Sequence, residues 1–201
     1  MSRSSTPEDF QGRCPTCFFR LEVCLCPRIP RLRPRTKVLI LRHHKEAFRS
    51  TNTARLAALA LEGAEVHPYG APGQPFDEAL VRGEGTWLLF PGEDGLAPAG
   101  GVPSRLVVLD GSWGQARRML QRVPALRALP RLSLPPLWPD KMRMRRPPSP
   151  EGLSTLEAIA LALGKYEGEP VQAPLLALYE LAVQGVLLTR GRLTAGRTGR
   201  R

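Results

Sequence analysis

The sequence predicts an α/β protein built on a mostly parallel sheet, and three observations indicate this fold class. Short apolar runs rich in Val, Ile and Leu have the length of buried strands. Segments with helical periodicity lie between those runs, as in strand–helix–strand crossovers. The 201 residues are 42% hydrophobic and 23% charged, which supplies the core of one globular domain and excludes a disordered chain.

The predicted elements alternate along most of the chain. Strands are expected at 36–44, 64–69, 86–90, 106–109 and 130–134. Helices are expected at 51–62, 76–82, 113–121, 153–164 and 173–189. The residues that cap three of these helices are Thr51 or Asn52, Ser112 in a capping box with Gln115, and Ser154 in a capping box with Glu157.

The chain divides into three predicted parts. Residues 1–35 form a basic N-terminal arm with all four cysteines, 36–190 form the α/β domain, and 191–201 form a basic flexible tail. The polar first residues are not followed by the apolar segment of a signal peptide. The apolar stretch 175–188 is interrupted by Glu180 and Gln184 and is shorter than the roughly 20 residues of a membrane span. We therefore expect a cytoplasmic protein that does not enter a membrane.

Positive charge is concentrated in blocks. The net charge is +11, and residues 1–49, 117–146 and 190–201 carry +7, +8 and +5, while the remaining segments carry −9. Basic blocks are typical of proteins that bind a polyanion, because each neutralised phosphate releases counterions. Nucleic acid is the favoured partner. The alternative is that the basic residues only solvate the surface.

All four cysteines lie between positions 14 and 26, at Cys14, Cys17, Cys24 and Cys26. Cys-x-x-Cys followed by Cys-x-Cys offers the four thiolates that a tetrahedral structural zinc site requires. A reducing cytoplasm disfavours disulfides. We expect zinc, which would stabilise the N-terminal arm without taking part in chemistry. Reduced thiols without a metal and an iron–sulfur cluster are the alternatives.

A lone acid, Asp110, stands at the junction between an apolar run and a predicted helix. Gly111 lets the chain turn there, and Ser112 and Trp113 begin the helix. In open parallel sheets, ligands bind at the carboxyl ends of the strands. Asp110, Ser112 and Trp113 are therefore candidate site residues. The alternative assigns them to a turn, a helix cap and the core, respectively.

The sequence lacks the common phosphate-binding motifs of nucleotide-binding proteins and the nucleophile motif of α/β-hydrolases. It contains no P-loop, no G-x-G-x-x-G after a strand and no G-x-S-x-G elbow. A Pro-rich stretch after residue 123 carries basic residues with Trp138 among them, a composition suited to phosphate contacts and base stacking. The predicted RNA-binding residues are Arg42, His43, Arg49, Arg117, Arg118, Arg143, Arg145 and Arg146.

Five stretches follow one another along the chain: the cysteine motif, LRHHKEAFRSTNTARLAALAL, LLFPGED, VVLDGSWGQARRML with ALPRLSL, and LSTLEAIALAL. Together, in this order, they resemble one family, the DTW-domain proteins, which are tRNA-uridine aminocarboxypropyltransferases. The resemblance covers roughly residues 14–188. The family's Asp-x-Thr-Trp motif maps onto Asp110 to Trp113, with Ser112 in place of the threonine. Serine keeps the hydroxyl and loses the methyl group, so hydrogen bonding is retained at this position and a packing role is not.

The resemblance implies an activity and a more specific fold. The donor would be S-adenosylmethionine, the acceptor N3 of a uridine in tRNA, and the transferred group 3-amino-3-carboxypropyl. The fold would be SPOUT-like with a knotted carboxyl-terminal region, and 36–190 would be the catalytic domain. The residues implied to line the donor pocket are Phe90, Pro91, Leu109, Leu134, Leu153, Ser154, Thr155 and Glu157.

The roles of the three candidate site residues have alternatives. Uracil N3 needs a base to remove its proton, and Asp110 is the candidate, with Ser112 orienting it or a uracil carbonyl. Asp110 could instead hold the ammonium or sulfonium group of the donor. Trp113 could stack on the extruded uracil or pack behind the loop.

Three other points stay open. A SPOUT-like RNA methyltransferase and a non-catalytic, zinc-stabilised RNA-binding protein are the alternative functions. Ribosomal RNA is an alternative acceptor. The oligomeric state cannot be read from the sequence.

Overall fold

The computed structural model describes residue 10 and residues 12–92, 101–134, 144 and 152–191. Its centre is a sheet of five strands in which every pairing is parallel, so the predicted parallel α/β architecture is confirmed. The strands are β1 Lys37–His43, β2 Glu65–Tyr69, β3 Thr86–Leu89, β4 Arg105–Asp110 and β5 Arg131–Leu132. Their order across the sheet is β2-β1-β4-β3-β5.

Helices cover both faces of the sheet. They are α1 Thr53–Ala60, α2 Trp113–Arg122, α3 Pro124–Arg127, α4 Thr155–Glu167 and α5 Glu169–Thr189. One core cluster joins α1, α4 and α5 to one face, and a second joins α2 and α3 to the other. Alternate residues of β1 enter the two clusters, Ile40 the first and Leu41 the second. Burial on both faces explains why these strands are continuous apolar runs.

The carboxyl ends of β1 and β4 form the topological switch point of the sheet. The two strands are neighbours, with Arg42 opposite Asp110. After β1 the chain crosses one face through α1, whereas after β4 it crosses the opposite face through α2. Diverging connections leave a crevice between two strands, the place where open α/β sheets bind ligands.

Several element boundaries differ from the predicted ones. β5 has only two residues, Arg131–Leu132, because it is an edge strand preceded by Pro130, which has no N–H to donate. The predicted helix at 76–82 is a short 3₁₀ helix, Glu78–Val81. Helix α4 continues past Gly164, where a Cβ would clash with Gln172 of α5, and ends at Glu167, followed by Gly168 with φ +83° as its C-cap. Helix α3 was not expected from the sequence.

Helix α5 begins at Glu169, four residues earlier than expected, with a proline in its first turn. By length and composition alone, this helix of 21 residues could cross a membrane. In the structure its residues Leu175, Leu178 and Ala182 are completely buried in the core of the domain. The absence of a membrane span stays a prediction.

The N-terminal cysteine segment packs onto the helical layer that contains α5. Cys14, Cys17 and Phe19 belong to the same core cluster as α4 and α5. Gly185 of α5 lies against Phe19, and a Cβ there would be in van der Waals contact with the ring at 3.4 Å. The segment therefore shares the core of the α/β domain. The predicted tail lies outside the described residues except for Gly191.

Candidate active site

Asp110 ends β4 in a buried, hydrogen-bonded position. The residue is only 4% exposed. The Asn52 side-chain amide donates to Oδ2 at 2.6 Å, and the Thr155 hydroxyl donates to Oδ1 at 3.1 Å. Each carboxylate oxygen thus has a donor from a different helix start, which holds the carboxyl group in one orientation.

Three helix N-termini converge around this carboxyl group. Asn52 caps α1, Ser112 caps α2 and Ser154 caps α4, the last two in the predicted capping boxes. Helix N-termini favour negative charge. Burial nevertheless raises the pKa of Asp110 above its usual range, although the bonds from Asn52 and Thr155 lower it, and the nearby carboxylate of Glu46 raises it further. A carboxylate with a raised pKa is suited to accept a proton near neutral pH.

Two adjoining cavities of about 520 Å³ each open at this edge of the sheet. The first, here called the acid cavity, is lined by Asp110 together with Glu46, Arg49, Thr51, Asn52, Thr53, Ser112, Gly114, Met144 and Tyr179. The second, the apolar cavity, is lined by Leu89, Phe90, Pro91, Val108, Leu109, Ala116, Arg117, Leu132, Leu134 and Ala158. Their shared wall consists of Gly111, Trp113, Gly152, Leu153, Ser154 and Thr155.

The residues predicted to line a donor pocket lie together in the apolar cavity, with one exception. Phe90, Pro91, Leu109, Leu134, Leu153, Ser154 and Thr155 all line it. Glu157 does not line either cavity. Its side chain is 3% exposed and accepts from the Ser154 N–H at 2.9 Å, so it closes the capping box of α4.

Ser112 and Trp113 have different surroundings. The Ser112 hydroxyl accepts from the Gln115 N–H at 3.3 Å and caps α2. The bonds that orient Asp110 come from Asn52 and Thr155 instead. Trp113 is half-buried and lies in the wall that the two cavities share. Its ring therefore has access to a ligand in either cavity.

The predicted RNA-binding residues occupy three kinds of position. Arg49 lines the acid cavity and Arg117 the apolar cavity. Within the described part of the chain, Arg42, His43 and Arg118 lie outside the lining of both cavities. Burial lowers the pKa of His43, and the charges of His44 and Lys45 lower it further, so the ring is neutral at pH 7. Outside the described residues lie Arg143, Arg145 and Arg146.

The four cysteine sulfurs lie within 4.8 Å of one another. Cys14 and Cys26 are 3.5 Å apart at Sγ, and Cys17 and Cys24 are 3.8 Å apart. A tetrahedron with Zn–S bonds of about 2.3 Å places its sulfurs about 3.8 Å apart. Burial raises the pKa of the Cys14 thiol, but hydrogen bonds from the Cys17 and Thr16 backbone and from the Cys26 and Cys24 side chains together outweigh it and lower that pKa to about 6. Burial and the neighbouring thiols raise the pKa of Cys26 instead, so the case for a metal rests on the sulfur geometry. The cluster is therefore compatible with a metal site.

Arg55 connects the cysteine segment to the acid cavity. Its guanidinium lies over the ring of Phe18, 3.1 Å from the centroid, and donates to the carbonyl of Ala47. Phe18 follows Cys17, and Ala47 follows Glu46 of the acid cavity. A metal that holds the cysteines would thus also support the loop that carries Glu46.

Sequence reasoning missed two polar residues of the site. Asn52 was predicted only as a helix cap, although its position just after β1, next to the strand that ends in Asp110, offered a signal. Glu46 gave no signal, because its burial depends on the 3₁₀ turn His44–Glu46 that follows β1. It is 1% exposed and its Oε1 lies 3.1 Å from Nε of Arg49.

Comparison with known proteins gives a consistent family assignment. The chain is 28% identical over 179 residues to tRNA-uridine aminocarboxypropyltransferase 2 of Drosophila melanogaster, covering 83% of this chain and 71% of that protein. Proteins of the same name from Macaca fascicularis and Mus musculus are 26% and 29% identical over 196 and 192 residues, with 89% and 85% of this chain and 66% and 63% of the relatives covered.

The chain thus spans about two thirds of the length of these relatives. No solved structure matches it. A family model described as the DTW domain matches residues 11–187. Because this match covers most of the chain, the protein belongs to the DTW domain family.

Proposed function

We propose that this protein transfers the 3-amino-3-carboxypropyl group of S-adenosylmethionine to N3 of a uridine in tRNA. One observation carries the proposal, namely that a buried carboxylate with a raised pKa, Asp110, lines one of two adjoining cavities. A group transfer between two substrates needs two neighbouring pockets and a proton acceptor where they meet. The names of the relatives support the same activity.

The chemistry of the two cavities supports one arrangement of the substrates. The apolar cavity, with Phe90, Leu109 and Leu134 in its lining, suits the nucleoside of the donor. The acid cavity, with Asp110 and Asn52, suits the polar end of the donor and the uracil edge. Trp113 and Thr155 in the shared wall lie at the junction, where the reacting atoms would meet.

The transfer breaks one bond to sulfur and forms one to nitrogen. The donor supplies a γ-methylene carbon made electrophilic by its sulfonium. Asp110 accepts the N3 proton of uracil, and the bond from N3 to that carbon forms as the carbon–sulfur bond breaks. The electron pair of the broken bond leaves with methylthioadenosine. Asn52 and Thr155 hold Asp110 in place while it takes the proton.

The other components follow the same assignment. We assign zinc to the four cysteines and phosphate contacts to the basic residues Arg42 and Arg118. His43, neutral at pH 7, would contribute a hydrogen bond to RNA rather than a charge. The SPOUT-like knotted region, the division at residues 35 and 190 and a cytoplasmic location belong to this proposal as well.

Two labelled donors test the proposed reaction. The protein is incubated with unmodified tRNA and S-adenosylmethionine labelled either in the methyl carbon or in the carboxyl carbon, and the RNA is then recovered. The proposal predicts that only the carboxyl label enters the RNA and that methylthioadenosine is released in equal amount. Methyl label in the RNA would instead identify a methyltransferase. Binding of tRNA without transfer of either label would identify a non-catalytic RNA-binding protein.

A further inference from the structure

The acid cavity contains a carboxylate that the proposed transfer does not use. Glu46 is 1% exposed and lines this cavity together with Asp110. Holding a carboxylate out of water costs solvation free energy, and buried carboxylates therefore typically meet a cation. Glu46 has a cation beside it, since Nε of Arg49 lies 3.1 Å from its Oε1.

Arg49 presents its charge to the same cavity from a more exposed position. Its side chain is 53% exposed, in contrast to 2% for that of Glu46, and both residues line the cavity. The guanidinium has five N–H donors, and its Nε lies at ion-pair distance from the carboxylate of Glu46. The cavity wall therefore offers a negative and a positive group side by side.

Opposite charges fixed side by side complement a zwitterion. The amino-acid end of S-adenosylmethionine carries an α-ammonium and an α-carboxylate on one carbon. An ammonium donates to carboxylate oxygens, and a carboxylate accepts from a guanidinium, often through two parallel bonds. Methylthioadenosine, the other product, lacks both groups. A cavity wall of this kind would therefore bind S-adenosylmethionine more tightly than it binds methylthioadenosine.

We propose that Glu46 and Arg49 form the subsite for the zwitterionic amino-acid end of the donor, with the α-ammonium on Glu46 and the α-carboxylate on Arg49. This inference rests on the proposed function. It explains group selection, because all three carbons on the sulfonium are electrophilic and position decides which one reacts. Anchoring the amino-acid end in the cavity of Asp110 presents the γ-methylene to the acceptor instead of the methyl group.

Equilibrium binding without RNA tests the subsite. The dissociation constants of S-adenosylmethionine and methylthioadenosine are measured by calorimetry for the unchanged protein, Glu46→Gln and Arg49→Gln. Each variant should weaken S-adenosylmethionine binding about tenfold or more, because a charge-assisted hydrogen bond is lost. Methylthioadenosine should bind each variant within about twofold of the unchanged protein.

A matched ion pair elsewhere serves as the control. Arg33 and Glu62 are joined on the surface, with side chains 83% and 58% exposed, and lie outside the lining of both cavities. Glu62→Gln and Arg33→Gln should leave both dissociation constants unchanged. The proposed subsite would be overturned if the Glu46 and Arg49 variants lost affinity equally for both ligands, or if they lost no affinity for S-adenosylmethionine.

A donor analogue isolates the contact of Arg49 and covers the case in which Glu46→Gln fails to fold. Decarboxylated S-adenosylmethionine lacks the α-carboxylate, so the unchanged protein should bind it about tenfold more weakly than the complete donor. Arg49→Gln should bind the two donors equally. If Arg49→Gln still binds the complete donor more tightly than decarboxylated S-adenosylmethionine, Arg49 does not bind the α-carboxylate. If the unchanged protein binds none of these nucleosides, the proposed function itself is contradicted. This result differs from normal donor binding that is insensitive to Glu46 and Arg49, which would contradict only the subsite.

Discussion

Asn52 and Asp110 are joined by a hydrogen bond of 2.6 Å from Nδ2 to Oδ2, while Oδ1 of the same amide accepts from the Arg55 N–H at 2.8 Å and caps α1. Both ends of the amide therefore have a fixed partner. One side chain thus begins a helix and orients the candidate base, so the stability of α1 and the position of Asp110 are coupled.

Replacing Asn52 separates these two roles. Asn52→Ala should lower the free energy of unfolding by about 1 kcal/mol through loss of the cap. It should also lower the transfer rate about tenfold, because Asp110 loses its closer donor. Asn52→Ser keeps a capping oxygen on a shorter side chain, so it should recover stability and not rate. Urea denaturation and single-turnover kinetics provide the measurements, and recovery of both properties by Asn52→Ser would show that the Asn52 amide is not needed to orient Asp110.

The pH dependence of the reaction should report on Asp110. Because burial raises the pKa of Asp110, kcat/KM should rise with pH through an acid limb centred above the ordinary aspartate value of about 3.9. The Thr155 hydroxyl lowers this pKa, so Thr155→Val should move the limb to higher pH. Profiles of the two proteins from pH 4 to 8 test the shift. An unchanged or lower midpoint in Thr155→Val would show that another group controls the limb.

The local patterns of the sequence predicted the helix starts around the site well. Ser112 with Gln115 and Ser154 with Glu157 are local capping boxes, and both form as predicted. Apolar runs of strand length also predicted the parallel strands, whereas edge strand β5 begins only after Pro130 and is shorter than expected. Helices and strands whose signals come from neighbouring residues can therefore be predicted from the sequence.

The hydrogen bonds within the site could not be predicted in this way, because they join residues that are far apart in the sequence. Asn52 and Thr155 are 58 and 45 positions away from Asp110, and no spacing rule pairs them. Glu157 was expected in the donor pocket by resemblance, yet its side chain closes a helix cap. The burial of Glu46 follows from the packing of a turn, which periodicity does not describe.

Metal removal should destabilise the protein. Because the cysteine segment shares the core with α5, losing a metal from it should lower the melting temperature by several degrees or more. Cys17→Ser should lower the zinc content below one ion per chain, measured by atomic absorption. Cooperative unfolding at the same temperature with and without a strong chelator would contradict a structural metal.

Salt dependence should identify phosphate contacts. The association constant K for tRNA is measured at several salt concentrations. If Arg118 neutralises one phosphate, Arg118→Gln should reduce the magnitude of the slope of log K against log salt concentration by about 0.7–0.9. The exposed Arg82, which lies 4.0 Å from Glu78 and outside both cavities, provides the control. Arg82→Gln should leave the slope unchanged. Equal slopes for the unchanged protein and Arg118→Gln would remove Arg118 from the interface.

The variant Asp110→Asn keeps the shape of the side chain and removes the proposed base. The raised pKa means that the carboxyl group contributes stability at acid pH that is lost as the pH rises through its folded pKa, so the free energy of unfolding of the unchanged protein should contain this pH dependence and that of the variant should not. In single turnovers at saturating S-adenosylmethionine, the account predicts that transfer to tRNA falls by about 10²–10⁴ while the donor dissociation constant is unchanged. A rate within a few fold of that of the unchanged protein would contradict Asp110 as the base, and a large loss of donor affinity would assign it to donor binding instead.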